Sequence, residues 1–167
     1  MEQLKAWGFS AQSWRGGRGE YWVLVQAIGL IAFVLLPIAP IVTFGTGWAI
    51  GSRILAAGLG LGSVGLLVSG VVGLGANLTP LPHPRDESSL VTSGAYRWVR
   101  HPIYSGVILG AIAVGLWQWS WSHLLGALVL FIFFDQKARR EEAWLADKFT
   151  DYDTYRSQVK KLIPGIY

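Results

Sequence analysis

Charged residues are missing from three long stretches of the chain. No Asp, Glu, Lys or Arg occurs from Tyr21 to Gly51, from Ile54 to Pro84, or from His101 to Phe134. A helix needs about 20 mostly apolar residues to cross the hydrocarbon layer of a bilayer, so runs of this kind predict membrane spans. Residues 21–43 and 54–78 are long enough to cross. Residues 102–119 and 121–135 are shorter, and Gln118, Ser120 and Ser122 mark a tight turn between them, which predicts a short helical hairpin. The expectation is an all-α integral membrane protein, one membrane domain of about four transmembrane helices with further cytoplasmic helices in the C-terminal tail. Pro37 and Pro40 predict that the first helix kinks or ends there.

The polar remainder sorts to one side. With four crossings, residues 1–20, the loop 79–101 and the tail 136–167 share a face, and every Lys and Arg except Arg53 lies in these segments. The positive-inside rule makes that face, and both termini, cytoplasmic. All ten acidic residues lie in or at the edge of the same segments. Trp22, Trp98 and Trp144 near that face, and Trp48, Trp117, Trp119 and Trp121 near the other, fit two interfacial belts. Met1 to Glu20 is polar and precedes a run too long for a signal-peptide core, so the first span is expected to act as its own insertion signal.

Composition agrees. Of 167 residues, 52% are hydrophobic and 14% charged, against about 25% charged in soluble domains, and the mean hydropathy is +0.41. The net charge of +4 follows from topology and attraction to anionic lipid, and nucleic acid is not an expected partner. The absence of cysteine excludes disulfides, a thiolate nucleophile and Cys-ligated metal, and no other metal-ligand spacing occurs. Glycine crowds the second span. The Gly58–Gly62 and Gly106–Gly110 pairs have the spacing that lets helices approach closely, within the chain or between copies.

Candidate chemistry gathers where the loop enters the third span. Pro80, Pro82 and Pro84 keep the chain extended, and Ser93-Gly94 offers a turn. Pro102 suits the first turn of a helix, which puts Arg100 and His101 at its mouth, beside unpaired backbone N–H groups, with Tyr104 on nearly the same face as His101. Arg100 alone would read as an interfacial anchor; Tyr96, Arg97, Arg100, His101 and Tyr104 together read as a site. His83 reads as a solvated loop residue, and His123 as lying by the opposite interface. The fourth helix is expected to leave the membrane through Asp135 and to carry Glu141 and Glu142 over the surface near Arg100 and His101. The same pair could instead bridge Lys137, Arg139 or Lys148 along the helix. Leu145, Phe149, Tyr152, Tyr155 and Val159 form a stripe that lies on lipid or packs back on the loop. Thr150 and Asp153 have capping-box spacing.

The segment Leu90–Tyr104, LVTSGAYRWVRHPIY, resembles the signature of the isoprenylcysteine carboxyl methyltransferase and phospholipid methyltransferase group. The tail residues Glu141-Glu142, Leu145, Phe149, Tyr152, Tyr155 and Leu162-Ile163-Pro164 match its second half. The resemblance covers about residues 77–167. Ala95 departs from a frequent proline, and only two spans precede the signature, fewer than in eukaryotic carboxyl methyltransferases. It implies a multi-pass membrane enzyme using S-adenosyl-L-methionine on the cytoplasmic side. It also implies cofactor contacts from Leu90, Val91, Gly94, Tyr96, His101, Pro102, Tyr104, Glu141 and Glu142, with Arg100, His101 and Glu142 as catalytic residues. The implied acceptor is a lipid, a prenylcysteine carboxylate or a phospholipid amine, entering between the third and fourth helices. An amine would need a base such as His101 or a Glu. No metal is implied, and oligomeric state is left open. The ending KKLIPGIY also resembles NADPH-dependent sterol reductases, and a non-catalytic protein keeping the fold is a third reading.

Overall fold

The computed structural model describes residues 17–41 and 45–167. The N-terminal segment up to residue 16 and the end of the first expected span, residues 42 and 43, therefore lie outside the described residues. Five α-helices occur among the described residues: α1 (Glu20–Val34), α2 (Thr46–Leu74), α3 (Pro102–Trp117), α4 (Trp121–Lys148) and α5 (Tyr152–Gln158). Short 3-10 turns cover Gly75–Asn77 and Gly94–Arg97, and the described residues contain no β-strand, only two isolated bridges.

One helix, spanning Gly47–Asn77 with its 3-10 extension, is long and apolar enough to cross a bilayer, while α1 and α3 are shorter apolar helices. At about 1.5 Å per residue the 15 residues of α1 and the 16 of α3 each extend about 22–24 Å. Helix α1 buries no residue, and Leu24, Ile28 and Val34, with Leu61, Val64 and Val72 of α2, stand more than half exposed. A surface this apolar is not one that water covers comfortably.

The boundaries correct the sequence reading at three places. The first helix stops at Val34 instead of running to residue 43, because the chain around Pro37 and Pro40 cannot continue it and pairs elsewhere. Ile41 N–H donates to Trp119 O (2.7 Å), Trp121 N–H donates to Ala39 O (2.9 Å), and Pro40 bridges Ser120, so the segment ties onto the α3–α4 turn. The second helix starts at Thr46, eight residues before the expected position, since the exposed Arg53 does not interrupt it. The third ends at Trp117, and Trp119 turns the chain with φ 53°.

Helix α3 packs on α2 along one side and on α4 along the other, and α4 packs on α1. The α2–α3 approach requires a missing side chain at Gly106, where a Cβ would lie 2.8 Å from Leu67 Cγ and 3.0 Å from Ser63 O. Ser63 Oγ donates to Gly106 O at 2.7 Å in the space so released. Gly62 also serves this contact, with Leu109 Cδ2 of α3 at 3.3 Å from where a Cβ would lie, while Gly58 has nothing near it, so only one member of the Gly58–Gly62 pair is used. The α3–α4 seam is filled by Ile108, Ala111, Ala127, Leu130 and Phe134, with Leu162 of the tail completing the cluster. Between helices in lipid such a seam is held by close packing of side chains, not by removal of apolar surface from water. The same packing closes the lateral entrance expected between these helices.

Candidate functional site

The tail folds back on the loop and closes a cavity at the mouth of α3. Val99 bridges Lys160 in parallel, Arg100 N–H donates to Lys160 O (2.9 Å) and His101 N–H donates to Lys161 O (3.1 Å). Ser105 Oγ reaches Leu162 O at 2.7 Å and His101 O at 3.0 Å. These main-chain bonds bring segments some 60 residues apart in sequence into register.

Pro102 opens α3 and His101 is its N-cap, without a side-chain cap bond. The imidazole is therefore available to the tail. His101 Nε2 lies 3.1 Å from Glu142 Oε1, and Arg100 Nε donates to the same oxygen at 2.8 Å. Arg100 Nη1 also donates to Arg156 O (3.1 Å) and to Val159 O. Burial works to raise the Glu142 carboxyl, but the hydrogen bonds and charge of His101 and Arg100 outweigh it and bring it down to about 2. Glu142 is thus held as a carboxylate. Its partners are the loop residues, and the alternative of bridging Lys137, Arg139 or Lys148 along its own helix is not adopted; Arg139 pairs with Asp135 (2.8 Å) instead.

Glu141, one residue earlier, accepts a hydrogen bond from Tyr104 Oη at 2.7 Å and lies 3.7 Å from His101 Nδ1. The His101 and Tyr104 rings stack in parallel with centroids 5.2 Å apart, as their three-residue separation on the helix predicts, and Tyr104 packs on Phe134 at 4.9 Å. Tyr96 is turned inward by the 3-10 turn that begins at Gly94, whose φ of 61° favours glycine. Its hydroxyl donates to Gly70 O on α2 (3.2 Å), and its own carbonyl accepts from Tyr155 Oη (2.5 Å). Burial raises both tyrosines, Tyr155 to about 12 and Tyr96 further.

The cavity has a volume of about 100 Å³ and opens outward. Leu90, Val91, Tyr96, Arg100, His101, Tyr104 and Glu141 line it, as do Leu145, Phe149, Tyr152 and Tyr155 of the tail stripe. That stripe packs back on the loop. Gly94, Pro102 and Glu142 stand behind this wall and position it. The sequence reading did not include Asn77, Thr79 and Ser88, which supply polar groups to the rim, or Leu74 and Ile103, which form an apolar wall where α2 ends and α3 begins. No sequence signal marks them apart from their nearness to the three prolines and to Pro102.

Several side chains depart from expectation. His83 is half-buried, with its ring 5.3 Å from that of Trp144 and Nδ1 2.9 Å from Pro84 O, because the proline-rich loop presses it against α4. The Thr150–Asp153 capping box does not form: α5 begins at Tyr152 after an Asp151 with no side-chain cap bond, and Asp153 pairs with Arg156 at 3.0 Å. His123, by contrast, lies at the other end of α4 as expected, where it is buried with its Nδ1 2.8 Å from Ser120 Oγ. Lys137 is buried, donating to Gln26 Oε1 (2.5 Å) and Pro80 O (3.2 Å) and lying 5.3 Å from the Tyr104 ring. Burial lowers it to about 8. Among the described residues no group of acidic and histidine side chains is arranged to hold a metal.

The family model for phospholipid methyltransferase matches residues 52–152, more than half of the chain and the stretch that carries α2, the loop, α3 and α4. The chain belongs to this family. Curated relatives share its sequence over shorter stretches. The protein-S-isoprenylcysteine O-methyltransferase of Schizosaccharomyces pombe is 43% identical over 79 residues, 46% of this chain and 34% of that protein. The one from Dictyostelium discoideum is 33% identical over 107 residues, 56% of this chain and 41% of that protein. The one from Saccharomyces cerevisiae is 37% identical over 79 residues, 46% of this chain and 33% of that protein. The matched part thus accounts for less than half of each relative's length. For a family of methyltransferases the chemistry to be tested against this cavity is that of a methyl donor. A carboxylate facing the cavity from Glu141, aromatic walls and an apolar shelf of Leu90 and Val91 suit a cationic, partly aromatic donor.

Proposed function

We propose that the chain is a membrane methyltransferase that moves a methyl group from S-adenosyl-L-methionine to the carboxylate of a prenylated cysteine held at the membrane surface. The observation that carries this reading is the cavity between the RHP mouth of α3 and the tail, in a chain of this family, with Glu141 and four tyrosines around it. The names of the relatives favour the prenylcysteine carboxylate over a phospholipid amine. When bound, the cofactor supplies an electrophilic methyl on a sulfonium. A carboxylate acceptor has no proton to lose, so the protein's contribution is positioning and exclusion of water.

The residues divide that work. Leu90, Val91, Tyr96 and Tyr104 form the walls, and Gly94 and Pro102 set the backbone that carries them. Glu141, oriented by the Tyr104 hydroxyl, offers negative charge to the cation. Glu142 locks Arg100 and His101 to the tail, so His101 faces the reacting region with a fixed ring. The acceptor's hydrocarbon reaches the cavity along the apolar wall of Leu74 and Ile103, since the α3–α4 seam is filled. The proposed setting is one multi-pass membrane domain of four crossings with the cavity and both termini cytoplasmic, as the side of the Lys and Arg residues favours.

The test is calorimetric titration of the detergent-purified protein with S-adenosylhomocysteine, with NADPH as control, followed by methyl transfer to a farnesylated cysteine derivative and to a phospholipid amine. Saturable binding of the first ligand alone and transfer to the carboxylate are expected. Binding of NADPH alone, or of neither by a folded sample, overturns the reading; transfer to the amine alone overturns the acceptor.

A further inference from the structure

Among the described residues two buried side-chain polar atoms make no hydrogen bond: the Trp119 indole nitrogen, at the far end of the helices, and the Tyr152 hydroxyl. Tyr152 is 1% exposed and is one of the residues that line the cavity, so its buried hydroxyl belongs to the wall of the candidate site. A buried hydroxyl left unpaired is costly, and native chains seldom keep one without a use. Its neighbours leave it unsatisfied for a chemical reason. Arg100 stands beside it as a cation and as a donor toward the phenol oxygen, but a guanidinium has only hydrogens to give and cannot receive the phenol's proton. Glu142 is also near, and its Oε1 is already taken by Arg100 and His101. Burial raises the phenol beyond its usual range, so it keeps its proton and remains a donor. No acceptor among the described residues lies within hydrogen-bond distance of that proton, and beside a cation the ligand group suited to it is an anionic oxygen.

We infer that the Tyr152 hydroxyl is a ligand-contacting donor that binds a carboxylate oxygen in the loaded site, next to Arg100. The inference rests on the methyltransferase reading, which offers two carboxylates: the amino-acid end of the cofactor and the carboxylate of the acceptor. The Tyr152→Phe variant separates them. It keeps the ring that packs edge-on against Tyr155 at 6.0 Å and removes a hydroxyl whose proton has no acceptor in the empty protein. The full-length variant in detergent should therefore unfold at the same temperature as the unaltered protein, or slightly higher.

Its ligand behaviour should differ. If the bond goes to the cofactor, affinity for S-adenosylhomocysteine falls about tenfold while affinity for 5′-methylthioadenosine, which lacks the carboxylate, is unchanged. If it goes to the acceptor, S-adenosylhomocysteine affinity holds and KM for a farnesylated cysteine carboxylate rises about tenfold. Three results overturn the inference: neither quantity changes, methylthioadenosine weakens equally, or the empty variant loses stability. Failure of the unaltered protein to bind S-adenosylhomocysteine at all overturns the methyltransferase reading itself, and this inference with it.

Discussion

Replacing Glu142 by glutamine keeps the shape of the side chain and removes its charge. In the folded chain that charge is engaged by Arg100 at 2.8 Å and His101 at 3.1 Å, with Glu142 9% exposed. The carboxyl stands at about 2 against an ordinary 4.5, and at about 1.4 kcal/mol per pH unit the difference corresponds to about 3 kcal/mol. The sign follows from where protons bind. The unfolded chain protonates Glu142 near 4.5 and the folded chain only near 2. The stabilisation is therefore complete above pH 5 and is lost as pH falls from about 4.5 to 2. In Glu142→Gln this part of the pH dependence should vanish, and at pH 7 the variant should be about 3 kcal/mol less stable, since Arg100 stays buried with no counter-charge. For a chain of this size that lowers Tm by roughly 6–12 °C. Thermal unfolding in detergent across pH 2–8 measures both. The other carboxylates titrate in both proteins, so the readout is the difference curve. Parallel curves for the two proteins, or equal Tm at pH 7, would refute the reasoning.

The remaining expectations concern packing and the buried polar groups. Gly106→Ala places a methyl against Leu67 and the Ser63 carbonyl and should destabilise by about 1–3 kcal/mol, while Gly58→Ala, with open space, should stabilise by up to about 1 kcal/mol; equal effects in thermal unfolding would contradict the α2–α3 contact. Tyr155→Phe removes the 2.5 Å bond to Tyr96 O, should cost about 1–2 kcal/mol, and should speed hydrogen exchange of the amides in the Gly94–Arg97 turn; unchanged exchange there would detach α5 from the loop. Lys137, lowered by burial to about 8, binds its proton less tightly folded than unfolded, so stability should rise between about pH 8 and 10.5. Lys137→Met should lack that rise, and a persisting rise would place its origin elsewhere.

What the sequence disclosed was governed by local rules. Pro102 at the first turn, the three-residue offset of His101 and Tyr104, and the tight turn at Gln118–Ser122 depend on neighbours only, and the helices bear them out. The end of α1 near Val34 agrees with the break predicted from Pro37 and Pro40, while the apolar run overstated its length and the charge of Arg53 hid the true start of α2. The run past Val34 stays apolar, yet its backbone pairs with the α3–α4 turn, and the single charge of Arg53 points outward without breaking a helix. For Glu142 the sequence offers Arg100 and His101 as partners beside the alternative along its own helix, without deciding between them, and the partners of Lys137 are not legible. Each lies on α4 with residues of opposite charge or polar character within one turn, and each instead engages groups dozens of residues away. For Glu142 the Val99–Lys160 pairing sets the register of loop and tail, and nothing local announces it.

That pairing also changes what Arg100 is for. As a sequence feature it stands in the loop motif as a cation free to meet a ligand. In the folded chain its Nε and Nη1 serve Glu142 and the carbonyls of Arg156 and Val159, and its backbone N–H serves Lys160. Loop, α4 and tail thus meet at one guanidinium, and a planar fork of fixed donors suits that junction in a way a single ammonium would not. The two halves of the motif, at residues 90–104 and from Glu141 onward, are one structural unit because Arg100 and Glu142 neutralise each other between them. Glu141 is left to face the cavity, its carboxylate bonded by the Tyr104 hydroxyl and 3.7 Å from His101 Nδ1. The arrangement sorts two adjacent glutamates into different places, one that holds the tail and one that faces the cavity.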